Sequence, residues 1–224
     1  MNSIFTRVAC AWPDKRSAVL ATAALLSTTA WAGRPLATDD ATILDPGGCQ
    51  LEAWHQRAGK LREWWAMPAC RAGEWELAAG KGQSGNAALQ AKTVLRQLET
   101  NGWGLGLAIA TQHGVSRQHT VNLPLTMSFA GDALMLHLNA GWIRQPTMPG
   151  RATWSIGGEY AFASRWSASL ESYGSRHRPP TRQAGMRFTV IEGRLDLDAS
   201  VAKTPGTQHQ LALGMTWALP RLLY

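Results

Sequence analysis

The chain has 224 residues, a formal net charge of +7 and a hydrophobic fraction of 45%. This length suits a single domain. Only 17% of the residues are charged, whereas 11 tryptophans and 22 glycines are present. Such a composition fits a sheet with one face in lipid, and it argues against a soluble helical enzyme.

The first predicted element is an export signal. Basic residues precede an apolar stretch at 17–29, and Ala30, Trp31 and Ala32 then form an A-x-A cleavage site, so Gly33 is the expected mature start. An uncleaved anchor is the alternative, but the stretch is shorter than the roughly twenty residues of a spanning helix. The predicted domains are a signal peptide at 1–32, a periplasmic N-terminal lead-in at 33–48 and a β-barrel at 49–224.

From Cys49 onward the hydrophobic pattern has a period of two, which is typical of β-strands. The polar face of these strands consists mostly of small and uncharged residues, which favours a membrane barrel over a soluble sandwich. We therefore predict an all-β fold, a closed antiparallel up-and-down transmembrane β-barrel of about 12 strands. The predicted strands are about 49–56, 62–69, 74–80, 87–97, 103–112, 119–129, 133–143, 152–162, 165–174, 183–190, 194–202 and 208–218.

The connections and the tryptophans support the same fold. An even strand number places both chain ends in the periplasm, and the odd-to-even connections, expected to be longer and outside, are rich in lysine and arginine. Pro124 inside the sixth strand predicts a bulge, because proline cannot donate to the ladder. Five tryptophans are expected in the two interfacial belts of a barrel: Trp103, Trp142, Trp154, Trp166 and Trp217.

The chain has 3 cysteines, and Cys10 would leave with the signal peptide. Cys49 opens the first strand and Cys70 closes the second at the same end, so a disulfide is expected in an oxidising compartment. Two separate thiols are the alternative. No companion ligands indicate a metal site, and no motif indicates a cofactor.

The segment Arg34-Pro-Leu-Ala-Thr-Asp-Asp40, followed by a glycine turn and Gln50-Leu-Glu-Ala-Trp54, resembles the opening of a known family. It is similar to the proteobacterial outer-membrane proteins grouped as "MetA-pathway of phenol degradation" transporters, over about twenty residues. The resemblance implies an outer-membrane barrel that passes hydrophobic or aromatic compounds. The terminal aromatic residue, Tyr224, resembles the signal read by the outer-membrane assembly machinery, which is therefore an expected partner.

Charged side chains of both signs are predicted to face the lumen. They would either pair across a narrow, filled interior or line a polar path. Asp39 and Asp40 could bind a cation or cap a turn, but a solvated periplasmic lead-in is the favoured interpretation. The lumen candidates are Glu52, Glu76, Lys92, Arg96, His137, Glu159, Glu171, Arg187, Arg194, Asp196 and Asp198.

The favoured function is passive transport of small compounds, or a structural role, in the cell outer membrane. The expected partners are outer-membrane lipid and lipopolysaccharide, since basic outer loops suit phosphate groups. Export argues against nucleic acid, and the oligomeric state is open. One alternative is a lipid hydrolase, although no motif singles out a catalytic serine among Ser155, Ser167 and Ser169; another is a soluble periplasmic β-rich binding protein.

Overall fold

The computed structural model describes residues 36–114, 117–146 and 148–219. The predicted signal peptide, the junction between Ala32 and Gly33, and Tyr224 lie outside the described residues. The strands are β1 Cys49–Ala58, β2 Leu61–Ala72, β3 Trp75–Gly82, β4 Ala87–Arg96, β5 Trp103–His113, β6 Gln118–Phe129, β7 Leu134–Gln145, β8 Met148–Ala163, β9 Trp166–Ser175, β10 Thr181–Ile191, β11 Leu195–Lys203 and β12 Gln210–Leu219.

Each strand pairs with its sequence neighbours, and β1 pairs with β12, so the twelve strands close into a barrel. All pairings are antiparallel, from Cys49↔Leu219 in the closing pair onward. Closure satisfies the backbone hydrogen-bonding groups that an open sheet edge would leave unpaired in lipid. The predicted fold class is confirmed. The described residues contain no helix that is long and apolar enough to cross a membrane.

The barrel has two rims. We call the end where β1 begins and β12 ends the terminal rim; the other end is the distal rim, and it carries the connections 59–60, 83–86, 114–117, 146–147, 176–180 and 204–209. Contrary to expectation, the distal connections are not clearly longer than the terminal ones. The strands extend further than predicted, and β8 already begins at Met148 rather than near residue 152.

The outer surface is an apolar belt. Large hydrophobic side chains alternate outward along the strands and are exposed, as with Leu170 at 71% and Leu213 at 64%. The five tryptophans of the predicted girdle are also exposed. Trp103, Trp166 and Trp217 lie near the terminal rim, and Trp142 and Trp154 lie toward the distal rim. In water this surface would be untenable, so the belt faces lipid.

Two local predictions have different outcomes. Cys49 and Cys70 are register partners and form a disulfide, as predicted. The bulge predicted at Pro124 is wrong, because the β5–β6 register is the same on both sides of it, at Leu105↔Leu125 and Ala108↔Asn122. Gly106 accommodates the proline ring instead: a Cβ at this glycine would lie 3.1 Å from Pro124 Cγ.

The interior is not empty. Residues 36–44, which we call the inner segment, enter the barrel from the terminal rim and lie in its lumen. Thr38 and Ala41 are completely buried, and Asp39 is 3% exposed. The predicted solvated lead-in is therefore wrong for residues 36–41, because this chain packs against the barrel wall.

Candidate functional site

Side chains of the barrel wall hold the inner segment by its backbone. Glu171 on β9 accepts hydrogen bonds from the Thr38 amide at 2.7 Å, the Thr38 hydroxyl at 2.8 Å and the Ala37 amide at 2.9 Å. Asn139 on β7 accepts from the Asp39 amide at 2.8 Å and donates to the Asp39 carbonyl at 2.8 Å. The buried backbone of the inner segment has no regular secondary structure to satisfy its polar groups. These hydrogen bonds to the wall satisfy them instead.

The same pattern continues toward the terminal rim. The Ala41 amide donates to Thr126 Oγ1 at 2.9 Å, and the Leu44 amide donates to Glu76 Oε2 at 2.9 Å. Arg71 Nη1 donates to the Leu44 carbonyl at 3.0 Å. Because these partners lie on β3, β6, β7 and β9, the segment crosses the lumen from one wall to the opposite one.

Two glycines let the segment approach the wall. A Cβ at Gly157 would lie 3.3 Å from Thr38 Oγ1, and one at Gly106 would lie 3.5 Å from Ala41 Cα. Larger side chains at these lumen-facing positions would occupy the space of the segment. The wall is therefore shaped to accept it as well as hydrogen-bonded to it.

A buried ion cluster lies at the centre of the crossing. Lys92 Nζ on β4 lies 2.5 Å from Asp40 Oδ1 and 3.2 Å from Asp39 Oδ1. Burial raises the pKa of Asp39 to about 6. Burial also disfavours the charge of Asp40, but Lys92 outweighs it and holds the pKa of Asp40 at about 2. Both aspartates belong to the inner segment and not to a membrane-spanning strand.

The inner segment divides the lumen into two cavities. The terminal cavity, of about 250 Å³, is bordered by carboxylates and two cationic side chains. The distal cavity, of about 100 Å³, is lined by amide groups such as Gln118 and Asn122 and by apolar side chains such as Ile143. Asp39 and Gln90 border both cavities, so the ion cluster lies between the two spaces.

Nine of the eleven predicted lumen residues alternate onto the inner face of the wall. Glu159 accepts from Arg187 at 3.0 Å and from Ser167 at 2.8 Å. Asp196 accepts from Thr189 at 2.7 Å, and His137 Nδ1 lies 3.0 Å from Thr126 Oγ1. The nine are Glu52, Glu76, Lys92, His137, Glu159, Glu171, Arg187, Asp196 and Asp198.

The other two predicted lumen residues are elsewhere. The β4–β5 register shifts between Val94 and Arg96, which turns Arg96 outward, where its guanidinium stacks 3.9 Å from the Trp103 ring centroid. Arg194 is exposed in the turn before β11, which begins at Leu195. The lumen predictions for Arg96 and Arg194 are therefore wrong.

Sequence reasoning missed the uncharged residues that hold the inner segment. Thr126 and Asn139 are buried and lie on the inward faces of predicted strands. A row of hydroxyl and amide side chains on the face opposite the apolar one is the signal that could have found them. Trp54 and Trp65 were also missed as lumen residues; their rings stack across β1 and β2 with centroids 5.8 Å apart.

The lumen does not show the geometry of a hydrolase. In the described part of the chain, no serine hydroxyl is hydrogen-bonded to a histidine, and the hydroxyl of Ser167 donates to Glu159. Nor does any group of three or more histidine, cysteine, aspartate or glutamate side chains there have an arrangement that could hold a metal ion.

A closed twelve-strand barrel with an apolar belt, aromatic girdles and a polar lumen is an outer-membrane β-barrel protein. Within this class, the chain belongs to the family described as Uncharacterised conserved protein UCP029691, whose model matches residues 21–218. No curated protein sequence matches the chain. The comparisons do not show the "MetA-pathway of phenol degradation" group.

Solved outer-membrane porins share the fold. The KdgM porin in complex with disordered oligogalacturonate has a TM-score of 0.65 at 10% identity, covering 76% of this chain and 99% of that one. The NanC porin has a TM-score of 0.61 at 7% identity, covering 76% and 100%. Outer membrane protein Omp33 of Acinetobacter baumannii has a TM-score of 0.55 at 6% identity, covering 77% and 98%. At these identities the likeness establishes the fold alone.

Proposed function

We propose that the protein is an outer-membrane channel for passive diffusion of small polar solutes, and that the inner segment narrows its lumen. The observation that carries this proposal is the pair of cavities that lie on either side of Asp39. A barrel with a purely structural role would need no space on both sides of a crossing chain. The remaining path is narrow, so the solutes are small.

The lining supports cationic or neutral solutes. The terminal cavity is bordered by five carboxylates, whereas its cationic groups are Lys92 and Arg187. Fixed charge in a narrow path selects for ions of the opposite sign. The five carboxylates are those of Asp39, Asp40, Glu52, Glu76 and Asp196.

The lining of the cavities argues against two other classes of solute, namely hydrophobic or aromatic compounds and oligogalacturonate. Hydrophobic or aromatic compounds, which the resemblance of residues 34–54 implies, would meet the charged wall of the terminal cavity. Oligogalacturonate, named with the KdgM porin, is a polyanion. An excess of carboxylates in the terminal cavity would repel it.

Reversal potentials in planar bilayers test the solute class. Across a potassium chloride gradient, the wild-type channel is expected to prefer potassium, and the double variant Glu52→Gln/Asp196→Asn should be less selective because two lumen charges are lost. Glu192→Gln, in an exposed turn at the terminal rim, is the control and should keep the wild-type preference. Anion preference in the wild type, or an equal loss in the control, would overturn the proposed charge selection.

Export and assembly complete the proposal. We infer that the signal peptide is cleaved between Ala32 and Gly33, and that the assembly machinery inserts the barrel. Cleavage here would leave residues 33–35 before the inner segment in the mature chain. Mass spectrometry of the protein extracted from outer membranes checks this: the expected N-terminal residue is Gly33, and an intact 1–32 segment would contradict it.

A further inference from the structure

The distal rim carries a ring of cations on the lipid side of the wall. We call it the basic collar, and all its members are exposed. Side chains alternate between lumen and lipid along a strand, so Lys203 shares the outward face of Val201 and Leu197. The basic collar consists of Arg57, Arg62, Lys81, Arg144, Arg182 and Lys203.

Within the basic collar, like charges face each other across the sheet. Arg57 is the register partner of Arg62, and Arg182 is the register partner of Lys203. Directly opposed like charges destabilise a sheet unless something neutralises them. Arg57 and Lys203 donate to the carbonyls of Gly59 and Thr207, which carry no net charge.

Within the part of the chain that the structure describes, no carboxylate is paired with a collar cation. The ion pairs found among the described residues involve Arg71, Lys92 and Arg187, not collar residues. The six distal connections contain no aspartate or glutamate in their sequences. The terminal rim differs, because exposed Glu74 and Glu192 lie there among its arginines. We infer that the neutralising anions come from outside the chain.

The position of the collar indicates which anions these are. Trp142 shares the outward face of β7 with Arg144, and Trp64 shares that of β2 with Arg62; both indoles are more than half exposed. Indole rings prefer the headgroup layer of a membrane. The collar thus lies at the depth of the lipid headgroups, on the distal side of the apolar belt.

We propose that the basic collar binds the phosphate groups of lipopolysaccharide in the outer leaflet. Guanidinium groups pair with phosphate through two parallel hydrogen bonds, and juxtamembrane cations gain from anionic lipid. Lipid phosphates would bridge the opposed pairs Arg57–Arg62 and Arg182–Lys203 and cancel their repulsion. The inference rests on the transmembrane barrel and is independent of channel activity.

Thermal unfolding of the full barrel tests the proposal, in neutral detergent and with added lipopolysaccharide. Two double variants are compared with the wild type, Arg57→Gln/Arg62→Gln and Arg182→Gln/Lys203→Gln. The matched control is Arg165→Gln/Arg194→Gln, which removes two exposed cations from the terminal rim. If one collar variant fails to fold, the other, on a separate strand pair, still gives the answer.

Relative to the wild type, the collar variants are expected to be at least as stable in neutral detergent and less stable with lipopolysaccharide. In neutral detergent each collar variant should unfold at or above the wild-type temperature, because a repulsive pair is gone. With lipopolysaccharide, wild type and control should be stabilised and the collar variants much less, with affinity about fivefold lower for each cation removed. Dephosphorylated lipopolysaccharide should stabilise none of them through the collar.

Three results would overturn the proposal. The first is an equal lipopolysaccharide shift in the collar variants and the wild type. The second is an equal loss of stability with and without lipopolysaccharide, which would mean that the collar residues are only structural. The third is full stabilisation by inorganic phosphate alone, which would indicate a free-anion site and not a lipid site.

Discussion

Asp39 and Asp40 are adjacent residues that share one cation unequally. Lys92 Nζ donates a hydrogen bond to Asp40 at 2.5 Å, whereas its distance to Asp39 is 3.2 Å. Removing one partner of a buried ion pair is costly because the other charge is left without compensation. The negative charge of Asp40 therefore stabilises the ion cluster, whereas the negative charge of Asp39 is the less well compensated of the two.

Isosteric substitution separates the two aspartates. Asp40→Asn should weaken docking of the inner segment by about 1–2 kcal/mol, because Lys92 loses its hydrogen-bonded counter-ion. Asp39→Asn should have little effect or strengthen docking. Hydrogen exchange of the backbone amides in residues 37–44 measures this, and the opposite order of the two variants would refute the assignment.

Docking is also expected to depend on pH. The raised pKa of Asp39, about 6 in place of 3.8, means that the docked state binds the proton more tightly, so this contribution is lost as pH rises through 6. The lowered pKa of Asp40, about 2, acts oppositely, and its contribution is lost as pH falls from 3.8 through 2. Docking should therefore be tightest near pH 4 and should weaken as the pH rises from there through 6.

Single-channel recordings at about pH 5 and about pH 8 check this dependence, with the larger conductance expected at the higher pH because the segment is then more often displaced. Asp39→Asn should remove most of the difference. A pH dependence unchanged in that variant would show that other groups, such as Glu76 or His137 beside the cluster, control docking.

At the scale of elements, the inner segment depends on the strands that it crosses. It forms no helix or strand, and four of its amides donate to side chains of β3, β6, β7 and β9. Small residues on the wall give it room. The position of the inner segment in the lumen therefore depends on its hydrogen bonds and its packing against the wall.

A bulky residue at Gly157 should displace the segment. In Gly157→Leu the new side chain would start 3.3 Å from Thr38 Oγ1 and extend into its position. We expect faster hydrogen exchange in residues 37–41 with the barrel still closed on a heat-modifiability gel. The control is Gly158→Leu, whose side chain points to the lipid face of the same strand; equal exchange in the two variants would contradict this role of Gly157.

The sequence predicted the strands well and the inner segment poorly, for a physical reason. A period of two is a local signal, so all twelve strands were predicted near their observed positions. The predictions for two side chains were wrong because the strands are locally irregular there. A register shift turns Arg96 outward, and Arg194 lies in a turn. Docking of Thr38 on Glu171 joins residues 133 apart, and no local pattern reports such a contact.

At the scale of the whole molecule, the charge distribution is uneven in two directions. The chain carries a formal charge of +7, yet carboxylates outnumber cations around the terminal cavity. The cations are concentrated outside the wall at the distal rim. This distribution is the one expected if, as proposed, the basic collar meets anionic lipid and the lumen admits cationic or neutral solutes.

Single-channel conductance in planar bilayers is the most direct test of the central claim, that the inner segment narrows a transmembrane channel. Wild type and Gly158→Leu are expected to show the same small conductance steps, and Gly157→Leu should show larger ones because the lumen is cleared. Absence of conductance in all three, or equal steps in all three, would contradict the account.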